Sequence, residues 1–377
     1  SGTDELEPYV IDIDPVLLEA FRYSHVKSSY LSVYAGTSLI NEVVGISSGS
    51  VKADRNQKAR RSLECTIPLS QWQDVVGLNV IGSRVQAWTG YDLGGRKIVV
   101  PIGAFRVDEL GRAQGGTLQV TASSLESYVI DDIFIDQLPI YTGANVVNEI
   151  KRLITESLPD VIFELDAFAT SMSGVLLDKD LFLERDRWDT VIALAAFISC
   201  DVYCTPAGKF RIAKRPSMTD LVPVWRINEG PDGVLVAMNT KVSRANTFNG
   251  VLAMGQSSNA DVIPCSYLLL DTDVSSPMRW GGPFGKKLYV YSDENLTTTA
   301  KCQAKAEELL AFYKAEDRNL DFSAIPNPAL EPDDAVQVSM LDGTVETHLI
   351  TSMTIPLGLG AWTAETLSNK DTGVLNP

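Results

Sequence analysis

Short runs of β period, separated by glycine turn pairs, dominate this chain and leave room for helical periodicity at only three places. Tyr30–Tyr34, Ser62–Pro68, Arg84–Trp88, Lys97–Val107 and Thr117–Ala122 are rich in Val, Ile, Thr and aromatic residues, whose branched or planar side chains suit a pleated surface. Gly94-Gly95 and Gly115-Gly116 punctuate them. The pattern predicts an all-β, barrel-like block over residues 1–135.

Near Pro139 the period changes. Val147, Ile150, Ile154 and Leu158 fall three and four apart, which predicts a helix over Ala144–Leu158 with one apolar face. Trp188, Val191, Leu194, Ala195 and Ile198 repeat that spacing behind Asp186, a residue type that caps helix N-termini. Strand, turn and strand follow at Asp201–Tyr203, Pro206-Ala207-Gly208 and Phe210–Ala213, so residues 136–215 read as a small α+β module.

Strands return at Val222–Ile227, Leu235–Ser243 and Asn249–Met254. A polar stretch, Gln256 to Pro283, then leads to a third helix at about Asn295–Ala315. Asn295 or Ser292 is its expected cap, and Ala300, Ala304, Leu309, Phe312 and Tyr313 its expected apolar face. Leu320–Ala324, Ala335–Met340, Glu346–Ile355 and Trp362–Leu367 complete the chain as strands. The expected fold is therefore α+β and β-dominated. Its parts are a first tube module (1–135), the small α+β module (136–215), a second tube module (216–255 and 318–377) and a helix-bearing insertion (256–317). The two tube modules share an order of elements. Val85-Gln86-Ala87-Trp88, a turn, a β run, a glycine turn and Thr117–Ser123 match Val336-Gln337-Val338-Ser339, a turn, a β run, a glycine-rich turn and Trp362–Ser368.

Charge narrows the functional classes. The 377 residues carry a net charge of −16, whereas binding to phosphate backbones needs Lys and Arg to displace counterions. The one basic cluster, Lys52, Arg55, Lys58, Arg60 and Arg61, is broken by Asp54 and has no interleaved aromatics, so a solvated loop or a contact with an acidic partner is expected. No apolar run approaches the ~18 residues of a membrane helix. Ser1–Pro15 is acidic where a secretion signal is basic and then apolar, so export by that route is not expected. Five scattered cysteines, Cys65, Cys200, Cys204, Cys265 and Cys302, argue for assembly in a reducing cytoplasm. Cys200 and Cys204 read as small buried hydrophobes.

The search for chemistry assigns no catalytic, cofactor-binding or metal-binding residue. His25 lies in Phe21-Arg22-Tyr23-Ser24-His25 and reads as structural. His348 alternates with Glu346 and Ile350 along a strand and reads as a surface or interface residue. Gly281-Gly282-Pro283-Phe284-Gly285-Lys286-Lys287 lacks the spacing of a phosphate loop and reads as a tight turn. Asp131-Asp132 and Asp333-Asp334 are adjacent pairs whose side chains diverge, which suits turns and caps better than paired acid and base. Asp271–Ser275 lacks the glycine and closing glutamate of a calcium loop.

Three parts of the chain resemble phage proteins. Leu330-Glu331-Pro332-Asp333-Asp334, followed by Val336–Val338, Ile350–Met353 and Trp362–Thr366, is similar to the C-terminal signature of baseplate-hub and tail-associated proteins. That signature has Leu-x-Pro-Gly-Asp. Here Asp333 stands at the glycine position, and Asp tolerates left-handed backbone better than most residues. Trp188–Ile192 through Tyr203–Ile212 resembles the helix, strand, turn and strand of the second domain of the same hubs, the N-terminal-like hub family of tail-associated lysins. Phe21–Tyr34, Gly49–Asp54 and Arg60-Arg61 resemble the start of minor tail proteins of actinobacterial phages.

The resemblance implies a homotrimeric hub in the virion, assembled in the host bacterial cytoplasm. It would join the tail tube and distal tail ring protein to the tape-measure C-terminus and the tip or spike proteins, with DNA only in transit and no membrane span. Longer relatives append a peptidoglycan-cleaving domain, and none is expected here. A cell-wall-degrading tail enzyme and a host-receptor-binding tail module are the alternatives.

Overall fold

The computed structural model describes residues 26–73, 80–94, 96–113, 115–136, 139–181, 185–218, 221–230, 233–242, 244, 247–255, 265–293, 296–315 and 318–368. It is β-dominated, with a large, mostly antiparallel sheet and a few helices. Two compact units divide it: 1–215 with 323–333 and 351–364, and 216–322 with 334–350 and 365–377.

The first unit begins with β1 (Val26–Ala35), β2 (Ser38–Gly45), β3 (Ser48–Asp54) and β4 (Arg61–Pro68), then a short helix α1 (Leu69–Gln73). β5 (Ser83–Asp92), β6 (Lys97–Ala113) and β7 (Thr117–Ser124) follow. β4 alternates buried and less buried residues along its length, placing Leu63, Cys65 and Ile67 on the core face. Such alternation fixes register, because a one-residue slip would expose the whole apolar set. At Gly49, φ is +150°, and a Cβ there would lie 2.4 Å from the Glu64 carbonyl oxygen, so only glycine lets β3 close on β4.

After α2 (Glu126–Asp131) comes the small α+β part: α3 (Val146–Ser157), β8 (Phe163–Leu165), α4 (Ala167–Ser171), α5 (Arg187–Phe197), β9 (Cys200–Cys204) and β10 (Phe210–Lys214). Val147, Ile150, Ile154 and Leu158 share a core with Trp188, Val191, Leu194 and Ile198, as their spacing predicts. Trp188 meets Phe210 edge to face, with centroids 6.2 Å apart. The Asp186 side chain accepts the Asp189 N–H at 2.9 Å and caps α5.

The second unit holds β11 (Pro223–Asn228), β12 (Leu235–Val242), β13 (Gly250–Gly255), β14 (Ser266–Leu270), β15 (Leu288–Asp293) and α6 (Thr299–Ala315). β16 (Arg318–Ala324), β17 (Ala335–Ser339), β18 (Val345–Pro356) and β19 (Trp362–Ser368) close the chain, and β16, β18 and β19 have residues in both units. β14, β13 and β15 form a small sheet whose inner face packs on α6 through Val251, Ala253, Cys302, Ala306 and Leu310. The buried face of α6 agrees with the expected one only in part: Leu309, Phe312 and Tyr313 are packed, whereas Ala300 and Ala304 are exposed. Alanine loses little by facing water, so it marks a helix face poorly, whereas Cys302, Ala306 and Leu310 recur every four residues. Ser292 lies in β15, and the Thr298 hydroxyl meets the Lys301 N–H at 3.2 Å instead; Asn295 lies outside the described residues. The glycine-rich loop is a tight turn, as expected, pinned by Asn249, whose amide nitrogen donates to the Met278 and Gly285 carbonyls.

In the first unit the strand order runs β2-β1-β5-β6-β7-β4-β3-β18; in the second β12, β16, β19 and β18 are neighbours, with β17 on β18 and β11 on β17. No order closes on itself among the described residues, so the barrel-like modules expected from sequence stand in this chain as open sheet. Each copy of the internal similarity places three consecutive strands side by side, β5-β6-β7 and β17-β18-β19. They differ at the outer neighbour: β1 is antiparallel to β5, whereas β11 is parallel to β17.

Candidate functional site

The basic cluster is not a free surface. Arg60 and Arg61 sit where the β3–β4 turn enters the core of the first unit and are 5% and 3% exposed. Arg60 pairs with Asp333 at 2.8 Å, stacks over the Tyr203 ring at 3.8 Å and donates to the Pro332 carbonyl. Burial alone would lower its pKa; Asp333 and its other neighbours outweigh that and raise it above the ordinary arginine value. Burial likewise pushes the Tyr203 hydroxyl up. Arg61 pairs with Glu331 and donates to the Cys204 carbonyl at 2.5 Å. Arg55 reaches Asp333 at 2.6 Å, and Lys58 reaches Asp186 and Asp189 at 2.7 Å each. Arg60 and Arg61 thus depart from the expected solvated loop, being buried and neutralised by carboxylates of their own chain, whereas Lys52 and Lys58 stay about half exposed, as expected of such a loop. Burying charges is costly unless each is paired and hydrogen-bonded, so this junction fixes where the β3–β4 turn, β9 and the Glu331–Asp333 segment meet. Asp333 has φ +80°, the left-handed backbone that the glycine position of the signature calls for.

His348 also departs from expectation. It is fully buried: Nε2 lies 3.1 Å from Glu346 Oε2, and Nδ1 lies 3.1 Å from the Thr366 hydroxyl, which also donates to the Leu320 carbonyl. Carboxylate, imidazole and hydroxyl in line have the composition of a catalytic triad. Here all three are sealed in the core, so they serve as a hydrogen-bond network across β18 and β19. The strand alternation of Glu346 and His348 was legible, but Thr366 lies on another strand. His25 lies outside the described residues. Cys200 and Cys204 are buried, and burial pushes the Cys200 thiol up to about 12. Asp131 pairs with Arg106 at 2.5 Å, and Asp132 accepts the Ser157 hydroxyl at 2.6 Å. Among the described residues no group of three or more His, Cys, Asp or Glu could hold a metal, and no helix is long and apolar enough to cross a membrane.

What remains accessible is suited to protein contact. An open groove of about 750 Å³ in the first unit is bordered by Ile135, 95% exposed, and Tyr141, 65% exposed; its Glu149 and Glu156 are held by Arg152 and Arg187. Among the described residues β2 stands at the end of its strand order with Leu39 and Ile40 exposed, and β12 ends the order in the second unit with Val236 and Met238 exposed. Apolar side chains on a strand with an unpaired edge are the features that proteins suppress unless another chain covers them.

The architecture is known in solved structures. A tail protein from Neisseria meningitidis MC58 superposes with a TM-score of 0.63, at 16% identity, over 92% of this chain and 98% of the other. The fold is one that tail proteins share. The 43 kDa tail protein of prophage MuSo2 from Shewanella oneidensis gives a TM-score of 0.60, at 12% identity, over 90% and 98% of the two chains. Prophage tail protein gp18 from Listeria monocytogenes EGD-e gives 0.55, at 11% identity, over 91% and 95%. No protein-family profile matches the sequence, and no curated protein does.

Proposed function

We propose that this chain is a structural hub at the tip of a phage or phage-like tail. In this reading it joins the tail tube and distal ring to the tip or spike, holds the tape-measure C-terminus and lines the DNA-ejection channel. The observation that carries it is the likeness of fold to tail proteins over nearly the full length of both chains. In it, three copies place six related β modules, residues 1–135 and residues 216–255 with 318–377 of each chain, around one channel. Open sheets support this, because edges such as β2 are closed by neighbouring copies and not within one chain. The charge of −16 suits a conduit whose wall repels phosphate. The protein is then not an enzyme, and the resemblance to the minor tail proteins of actinobacterial phages supports the same reading.

Gold-labelled antibody against the purified protein, applied to intact particles, tests the location. Label confined to the tail tip is the expected result; label along the tube, or on the head, overturns the reading.

A further inference from the structure

We infer that Cys265 and Cys302 are an oxidisable pair that forms a disulfide between the start of β14 and the first turn of α6. Their sulfur atoms are 3.4 Å apart. Each thiol is also oriented: Cys265 Sγ donates to the Leu296 carbonyl at 2.9 Å, and Cys302 Sγ lies 3.6 Å from the Cys265 carbonyl oxygen. That carbonyl in turn accepts the Gly255 N–H at 2.8 Å, so strand, loop and helix fix both cysteines. Glycine at 255 keeps the space open, since a Cβ there would lie 3.2 Å from Cys265 Sγ and 2.3 Å from the Leu296 oxygen. A disulfide has sulfurs about 2.0 Å apart, so side-chain rotation needs to bring them only roughly 1.4 Å closer.

The two sulfurs are unequal. Cys302 is fully buried, and that burial pushes its thiol up to about 11, so it stays protonated at neutral pH. Cys265 is partly exposed. Given a small-molecule disulfide, the Cys265 thiolate attacks one of its sulfurs, forming a mixed disulfide and expelling one thiolate. Cys302, losing its proton as it attacks, then bonds to Cys265 Sγ and expels the second thiolate. Two protein thiols are oxidised, one small disulfide is reduced to two thiols, and the two protons pass to the departing thiolates. The other three cysteines are buried and take no part.

The inference does not depend on the tail reading and is tested on the purified, folded chain. The protein is incubated with oxidised glutathione at pH 8, quenched in acid, denatured, alkylated and weighed. Five alkylated cysteines in the reduced chain falling to three, with a cross-linked peptide joining Cys265 to Cys302, is expected. Cys302→Ser stops at the first step and gains the mass of one glutathione on Cys265. Retention of all five thiols, a link between any other pair, or a glutathione on a different cysteine overturns the inference.

Discussion

Asp333 joins two demands that usually fall on different residues. Its backbone is left-handed, at φ +80°, and its carboxylate neutralises Arg55 and Arg60. Asp333→Gly satisfies the first demand and abolishes the second. Removing one partner of a buried pair costs about 3–5 kcal/mol. Denaturant unfolding is therefore expected to show the glycine variant destabilised by about 3 kcal/mol or more; a variant as stable as the parent would mean that only the backbone matters. The left-handed turn was legible in Leu330–Asp334, where aspartate replaces glycine. The ion pairs were not, because Arg60 and Asp333 lie 273 positions apart and no local pattern links them. Lys27 gives a residue-scale test in pH. Its ammonium donates to the Pro356 carbonyl at 2.6 Å, and burial lowers its pKa to about 8, against 10.5 ordinarily. Between those values the unfolded chain holds more protons than the folded one, so this lysine makes stability rise with pH; below 8 its penalty is constant. The stability of the parent relative to Lys27→Met is expected to increase from pH 8 to 10.5. A difference independent of pH would contradict the assignment.

Helices α3 and α5 could be placed from spacing because their apolar faces are built of large residues that lose much by facing water. The N-terminal half of the α6 face could not, since five of the helix's residues are alanines that fit either side. β2 was not legible because Asn41 and Glu42 interrupt it, β3 because serine and glycine do, and β14 because it lies inside the largely polar stretch Gln256 to Pro283. Capping offers the element-scale test. Asp186 both caps α5 and pairs with Lys58, and exposed ion pairs contribute about 0–1 kcal/mol whereas a cap contributes about 1 kcal/mol. Asp186→Ala should therefore destabilise the protein by about 1–2 kcal/mol and Lys58→Ala by less than about 1 kcal/mol. Equal losses would place the weight on the ion pair.

For the whole molecule, the question is what closes the open sheet. Composition and strand count were enough to read a β-dominated fold, but strand pairing across the sequence, such as β3 with β18, is set by contacts that no short motif encodes. Leu39→Lys with Ile40→Lys puts two charges on the β2 edge. Exposed changes of this kind leave folding stability within about 0.5 kcal/mol, so the variant should unfold like the parent yet fail to enter tails. Incorporation at the parental level would remove β2 from the interface. The central claim, that three copies close one ring of six related modules, is met most directly by symmetry-averaged images of the protein in intact tails. Three copies per tail, with the β5–β7 and β17–β19 modules alternating at one radius, is the predicted result; six copies, or the two modules at unrelated radii, would contradict it.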